Sequence, residues 1–169
     1  MNIRKAQVED AAGIARVHVD CWRTTYKDII PEDFLCNLSY ENRTKLWLHN
    51  IQREDNYLFV AENEDGEIIG FADGGKRETN TVENSGDLTS IYIFESYQKQ
   101  GIGKKLCQPL FQVFRDLGYT TIFVEVLEDN KSKYFYEALG AKLCKDEEIV
   151  YGGKMLNLLT YEWGDIRHI

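Results

Sequence analysis

The chain has 169 residues, a formal net charge of −8 and 43% hydrophobic residues. That length suits one domain with a sizeable core, and the acidic balance argues against a general nucleic-acid binder. No apolar run approaches the length of a membrane span and no signal-peptide core opens the chain, so no membrane partner and a cytoplasmic location are expected. Cys21, Cys36, Cys107 and Cys144 are scattered without C-x-x-C spacing. They read as reduced thiols rather than a disulfide framework or a zinc site, and no metal is expected.

Taken in chain order, Ile3-Arg4-Lys5-Ala6 reads as a strand. It leads into a helix with Ala11, Ile14, Ala15, His18 and Trp22 on one face. Trp22-Arg23-Thr24-Thr25-Tyr26-Lys27-Asp28-Ile29-Ile30-Pro31 follows. Tyr57–Glu62 and Glu67–Ala72 then form a hairpin across Asp65-Gly66. Thr89–Phe94 is β-branched and aromatic, the pattern of a buried strand. The helix over 101–117 places Ile102, Leu106, Leu110, Val113, Phe114 and Leu117 on one face and stops at Gly118. Pro109 inside it predicts a kink beyond the first turn. Thr121–Leu127 alternates as a strand, Asn130 caps a short helix ending at Gly140, and 143–151 pairs with 154–163 across Gly152-Gly153.

The order is therefore β-α-α-β-β-β-α-β-α-β-β. The strands near 88–94 and 121–127, joined through a helix, should be parallel neighbours. Residues 1–163 make one domain, and 164–169 a short tail expected to fray.

The segment Gln98-Lys99-Gln100-Gly101-Ile102-Gly103-Lys104 joins a strand to a helix. A glycine-rich turn opening a helix offers unpaired N–H groups and the positive dipole end to an anion, and Lys99 and Lys104 add charge. A P-loop is excluded, because Gln98 replaces its first glycine and Lys105 its magnesium-binding hydroxyl. A dinucleotide fingerprint is excluded by Leu106 at the third glycine position.

The remaining Q-x-x-G-x-G pattern resembles the pyrophosphate-binding signature of the GNAT superfamily of N-acetyltransferases. A second stretch, Asn130-Lys131-Ser132-Lys133-Tyr134-Phe135-Tyr136-Glu137-Ala138-Leu139-Gly140-Ala141, is similar to the family's other cofactor motif. The resemblance runs in order over nearly the whole chain. It implies a mixed α/β fold: a central, mostly antiparallel mixed sheet flanked by helices, with one splayed parallel pair holding coenzyme A.

By that resemblance, acetyl-coenzyme A is the cosubstrate. Backbone groups of Ile91, Tyr92 and Ile93 pair with its pantetheine arm, and the N–H groups of Gln98, Lys99, Gln100, Gly101, Ile102, Gly103 and Lys104 hold the pyrophosphate. Asn130 contacts the pantetheine, caps its helix, or does both. Lys133 departs from the motif's alanine and places charge near the cofactor or in solvent. Tyr136 is the expected acid that quenches the thiolate, with Tyr134 its neighbouring competitor. Asp87 matches the place of a family base, or else punctuates the Ser85-Gly86-Asp87 turn; Glu125 is a weaker candidate.

The W-x-x-x-Y-x-x-x-x-P run resembles a subgroup of small bacterial members. There Trp22 and Tyr26 would wall the acceptor amine, or simply pack. Asp73, in Ala72-Asp73-Gly74-Gly75, would attract a cationic amine or begin a turn. The leading expectation is an enzyme that acetylates a primary amine of a small molecule by direct attack in a ternary complex. A protein N-terminal or lysine acetyltransferase is the alternative, and a non-catalytic acyl-coenzyme A-binding regulatory module the reading of another class. A homodimer is implied by family habit alone.

Overall fold

The computed structural model describes residues 1–168. Its elements are β1 (Asn2–Lys5), α1 (Ala11–Thr25), α2 (Glu32–Cys36), α3 (Tyr40–Gln52), β2 (Asn56–Glu62), β3 (Ile68–Gly75), β4 (Ser85–Ile93), α4 (Ile102–Asp116), β5 (Thr121–Leu127), α5 (Ser132–Ala138), β6 (Lys142–Tyr151) and β7 (Lys154–Trp163). One helix more than the hydrophobic pattern predicts precedes β2. This is α2, a single turn in which the N–H groups of Phe34 and Leu35 bond the Pro31 carbonyl. It is too short to show helical periodicity.

Among the described residues the strands form one sheet, ordered β1-β2-β3-β4-β5-β7-β6. All neighbours are antiparallel except β4 and β5. The β6–β7 hairpin turns through Gly152 and Gly153, both left-handed at φ 58° and 79°, as a two-residue turn with matching twist requires.

Each face of the sheet has its own helical cover. On one side α4 buries Leu106, Leu110 and Phe114 completely, against Leu88, Ile122 and Trp163. The helix runs unbroken through Pro109, which forfeits one backbone bond. Leu117, expected on the buried face, is instead 46% exposed, because α4 has ended and the chain turns away at Gly118 with φ 83°. On the other side α1 and α3 pack Ile14, Val17 and Trp47 against Phe71. His18 is buried here: its Nδ1 accepts from Trp47 Nε1 at 3.0 Å, and its ring stacks on Tyr92. Burial lowers its pKa to about 4, so it stays neutral as a packing residue.

The tail does not fray where it was expected to. Ile166 is fully buried in the α4-side core; its N–H bonds the Thr120 carbonyl at 3.0 Å and its own carbonyl accepts from Arg115. An apolar side chain two residues beyond Gly164 is enough to return the chain to the core. Ile169 lies outside the described residues. Ile166→Ala should cost about 2–4 kcal/mol in urea unfolding. A change within about 0.5 kcal/mol, typical of surface positions, would mean that the tail is not part of the core.

Candidate active site

The β4–β5 ladder pairs Ser85 with Thr121, Gly86 with Ile122, Asp87 with Phe123 and Leu88 with Val124, and then stops. Both strands continue, β4 alongside β3 through Ile93 and β5 alongside β7 through Leu127. The parting coincides with a bulge: Asp73 pairs with Ser90 but Gly74 pairs with Leu88, which leaves Thr89 without a partner. A bulge bends its strand and sharpens the local twist.

Beyond this point β4 presents an open edge. Phe94 N–H donates to the Ile69 carbonyl on β3. By the two-residue alternation of a strand, the peptide groups of Ile91 and Ile93 then face the opening, while those of Tyr92 face β3. Of the three residues expected to pair with an extended ligand arm, two turn their peptide groups to the opening and Tyr92 does not. The Ile93 carbonyl is bonded by Gln98 Nε2 at 3.0 Å.

The loop that follows is shaped by left-handed residues, Lys99 at φ 61° and Gly101 at φ 80°. Gly101 precedes α4, whose first N–H groups have no intrahelical acceptor and whose first turn holds no acidic residue. Lys99, Lys104 and Lys105 are exposed around it. The amides of Gln98 and Gln100 brace the loop itself, the latter on the Ser96 carbonyl. Gly103 serves a second purpose that the motif does not reveal. A Cβ there would lie 2.8 Å from the Phe135 ring, so the missing side chain lets α5 lie against α4.

Across the opening, Asn130 does two jobs. Its Oδ1 accepts from the Ser132 N–H at the start of α5, and its Nδ2 donates to the Tyr26 hydroxyl at 3.2 Å. Tyr136 is 6% exposed, and its hydroxyl has no hydrogen-bond partner among the described residues. Burial pushes its pKa up, with Tyr26 and Cys107 adding to the shift, so the phenol holds its proton. Tyr134 is 59% exposed, with Lys133 Nζ over its ring at 5.3 Å from the centroid.

On the α1 side Trp22 Nε1 donates to the Tyr92 hydroxyl at 2.9 Å, and the Trp22 ring lies 4.6 Å from that of Tyr26. Tyr26 is 7% exposed and packs with Ile30 and Leu35. These aromatics form a wall whose hydroxyls are already engaged with one another and with Asn130.

The carboxylates divide by environment. Asp87 stands within the closed ladder, its Oδ2 accepting from the Arg77 N–H at 2.9 Å and from Asn80 Nδ2 at 3.1 Å. Glu125 is paired with Arg77 at 2.7 Å. Asp73 is 3% exposed and its Oδ1 has no partner. Burial raises its pKa to about 6, against the downward pull of Ser90, Asn56, Arg77 and Arg53.

Asp73 lines a cavity of about 380 Å³ together with Asn50, Asn56, Arg77, Glu78 and Thr89. Sequence reasoning missed these companions of Asp73, since they come from α3, β2, the β3–β4 loop and β4 and share no local pattern. Among the described residues no cluster of three or more His, Cys, Asp or Glu could hold a metal ion.

Two measurements test this geometry. Gly103→Ala should lower stability by about 1–3 kcal/mol through overpacking on Phe135, before any ligand is added. Unchanged stability would mean that only a ligand needs the space. Asp73 carries a folded pKa above its unfolded value, so its stabilising contribution is complete below about pH 4 and lost as pH rises through about 6. Asp73→Asn should therefore exceed the parent protein by about 2–3 kcal/mol in denaturant unfolding at pH 8. The gap should close toward pH 4. A gap independent of pH would contradict the buried carboxyl.

The sequence model of the acetyltransferase (GNAT) family matches residues 17–141. The uncharacterized N-acetyltransferase YuaI of Bacillus subtilis is 34% identical over 166 residues, spanning 98% of this chain and 94% of its own. A spermidine N(1)-acetyltransferase of Thermoplasma acidophilum is 26% identical over 148 residues, 85% of this chain and 89% of its own. Among solved structures, a ribosomal-protein-alanine N-acetyltransferase from Brucella melitensis aligns with a TM-score of 0.77 at 26% identity, covering 96% of this chain and 99% of that one. The PaiA N-acetyltransferase of Thermoplasma acidophilum, solved in complex with coenzyme A, shares the fold at a TM-score of 0.76 and 23% identity, over 96% and 98% of the two chains. A family match across most of the length, joined to a relative aligned almost end to end, places this chain in the GNAT family of acetyl-coenzyme A-dependent N-acetyltransferases.

Proposed function

We propose that the protein moves the acetyl group of acetyl-coenzyme A onto a primary amine of a small molecule, by direct attack in a ternary complex. The observation that carries this reading is the proton-holding hydroxyl of Tyr136, carried on a buried side chain and without a hydrogen-bond partner among the described residues. The residues around that opening fit the cosubstrate. Ile91 turns its peptide groups toward the opening for an extended arm, beside the Ile93 carbonyl already held by Gln98, and the amides at the start of α4 suit a pyrophosphate. Bound there, the thioester supplies an activated acetyl group.

Within this reading each residue has a limited task. Lys99 and Lys104 add positive charge around the phosphate-binding turn. Asn130 fixes the start of α5, and so the position of Tyr136, while holding the Tyr26 wall in place. Tyr136 gives its proton to the departing sulfur. Asp87 braces the β3–β4 loop through Arg77 and Asn80 rather than taking a proton, and the acceptor loses its proton to water. A small acceptor is favoured by the polar cavity beside Thr89, whose volume of about 380 Å³ suits a compact ligand.

The test is release of coenzyme A thiol from acetyl-coenzyme A in the presence of pooled small amines or alanine-ended peptides. Release with an amine pool is expected. Release with peptides alone would overturn the small-molecule acceptor. Tyr136→Phe should lower kcat by about 10²-fold or more while coenzyme A affinity, measured by direct titration, changes little. An unchanged kcat would remove Tyr136 from the acid role.

A further inference from the structure

Asp73 is a buried carboxylate with no close counter-charge. It pairs across the ladder with Ser90, next to the unpartnered Thr89, and is 3% exposed with Oδ1 unpartnered. Buried charges in proteins are ordinarily paired or fully hydrogen-bonded, because an idle ionised oxygen is costly. The cations near it are committed elsewhere. Arg77 holds Glu125 at 2.7 Å, Arg53 holds Asp55 at 2.9 Å, and Lys76 donates to the Val82 carbonyl. Glu78, on the same cavity wall, is in no ion pair among the described residues. With Arg53 and Arg77 in ion pairs, Asp73 and Glu78 stand against Lys76 alone, whose ammonium rests on a neutral carbonyl, so the unpaired charge of this cavity of about 380 Å³ is negative by one. Thr89, where β4 parts from β5, also lines it, so the cavity adjoins the opening proposed for acetyl transfer.

We infer that this cavity is an acceptor subsite for a di- or polyamine, in which Asp73 holds an ammonium group other than the nitrogen that is acetylated. The inference rests on reading the opening as a site of acetyl transfer to small amines, and it names the class of amine.

The requirement for two nitrogens follows from acid–base chemistry. The attacking nitrogen must shed its proton, whereas a nitrogen held against a carboxylate is favoured in its charged form. Asp73 titrates at about 6, roughly four units below a primary alkylammonium at about 10.4. The proton of a bound ammonium thus stays on nitrogen by about four powers of ten. The group on Asp73 is an anchor, and a second amine of the same molecule is free to react.

The experiment compares terminal diaminobutane with butylamine, equal in length and differing by one ammonium, in the parent enzyme and in Asp73→Asn with acetyl-coenzyme A present. The parent should favour the diamine in kcat/KM by at least about tenfold, the scale of one hydrogen bond to a charged group. Asp73→Asn should collapse that preference through KM rather than kcat. Titration of diaminobutane onto the coenzyme A-bound protein, which needs no turnover, should weaken to the same extent while coenzyme A affinity is unchanged. Glu78→Gln should weaken diamine binding less than Asp73→Asn does, as expected of an exposed charge.

Equal use of both amines by the parent, or a preference untouched by Asp73→Asn, would overturn the inference and leave small-amine acetylation standing. Acetylation of peptides with no turnover of either amine would overturn the small-molecule reading beneath it, and the inference with it.

Discussion

Past Leu88 the fourth strand cannot keep both of its neighbours. Its ladder with β3 carries an extra residue, Thr89, and the bend this imposes draws β4 away from β5 while β5 stays with β7. The bulge depends on backbones packing too closely for side chains: a Cβ on Gly74 would lie 2.3 Å from the Asp87 carbonyl oxygen. Everything assigned to function is arranged around the gap that results. A parallel pair that stayed zipped to Ile93 and Leu127 would satisfy more backbone groups and would leave no opening.

The core makes that gap affordable in stability. Leu106, Leu110 and Phe114 of α4 clamp the joined ends of β4 and β5 through Leu88 and Ile122, so the strands part from a rigid base. The same helix begins at Gly101, beside the open edge, and its Gly103 admits Phe135 so that α5 can lie close. Packing of α5 buries Tyr136, and burial keeps its proton in place. Asn130 then ties the start of α5 to Tyr26 at the end of α1, bridging the helical layers across the opening. Packing and proton chemistry are thus linked through one short helix.

Much of this was readable from pattern. Alternation set β5 at Thr121–Leu127, and two adjacent glycines set the β6–β7 turn. The glycine turn and the Asn130 segment pointed to the site because their chemistry is local. What escaped depends on distant partners. The burial of Ile166 needs Thr120 and Arg115, and the single turn of α2 has no period to detect. Asp87 and Asp73 look alike in sequence, since both stand beside glycine; only the loop that folds Arg77 and Asn80 onto Asp87 separates them. Gly103 looked like a phosphate residue alone, because Phe135 lies 32 positions away in sequence.

The central claim is that the free edge of β4 and the first turn of α4 together receive acetyl-coenzyme A. Residue-resolved amide hydrogen exchange, with and without acetyl-coenzyme A, tests it directly. The account predicts slowed exchange at Ile91, Ile93 and Ile102 through Lys104 on binding, with Tyr92, already turned toward β3, little changed. Binding that leaves those amides unprotected, or that protects Tyr92 instead, would contradict it.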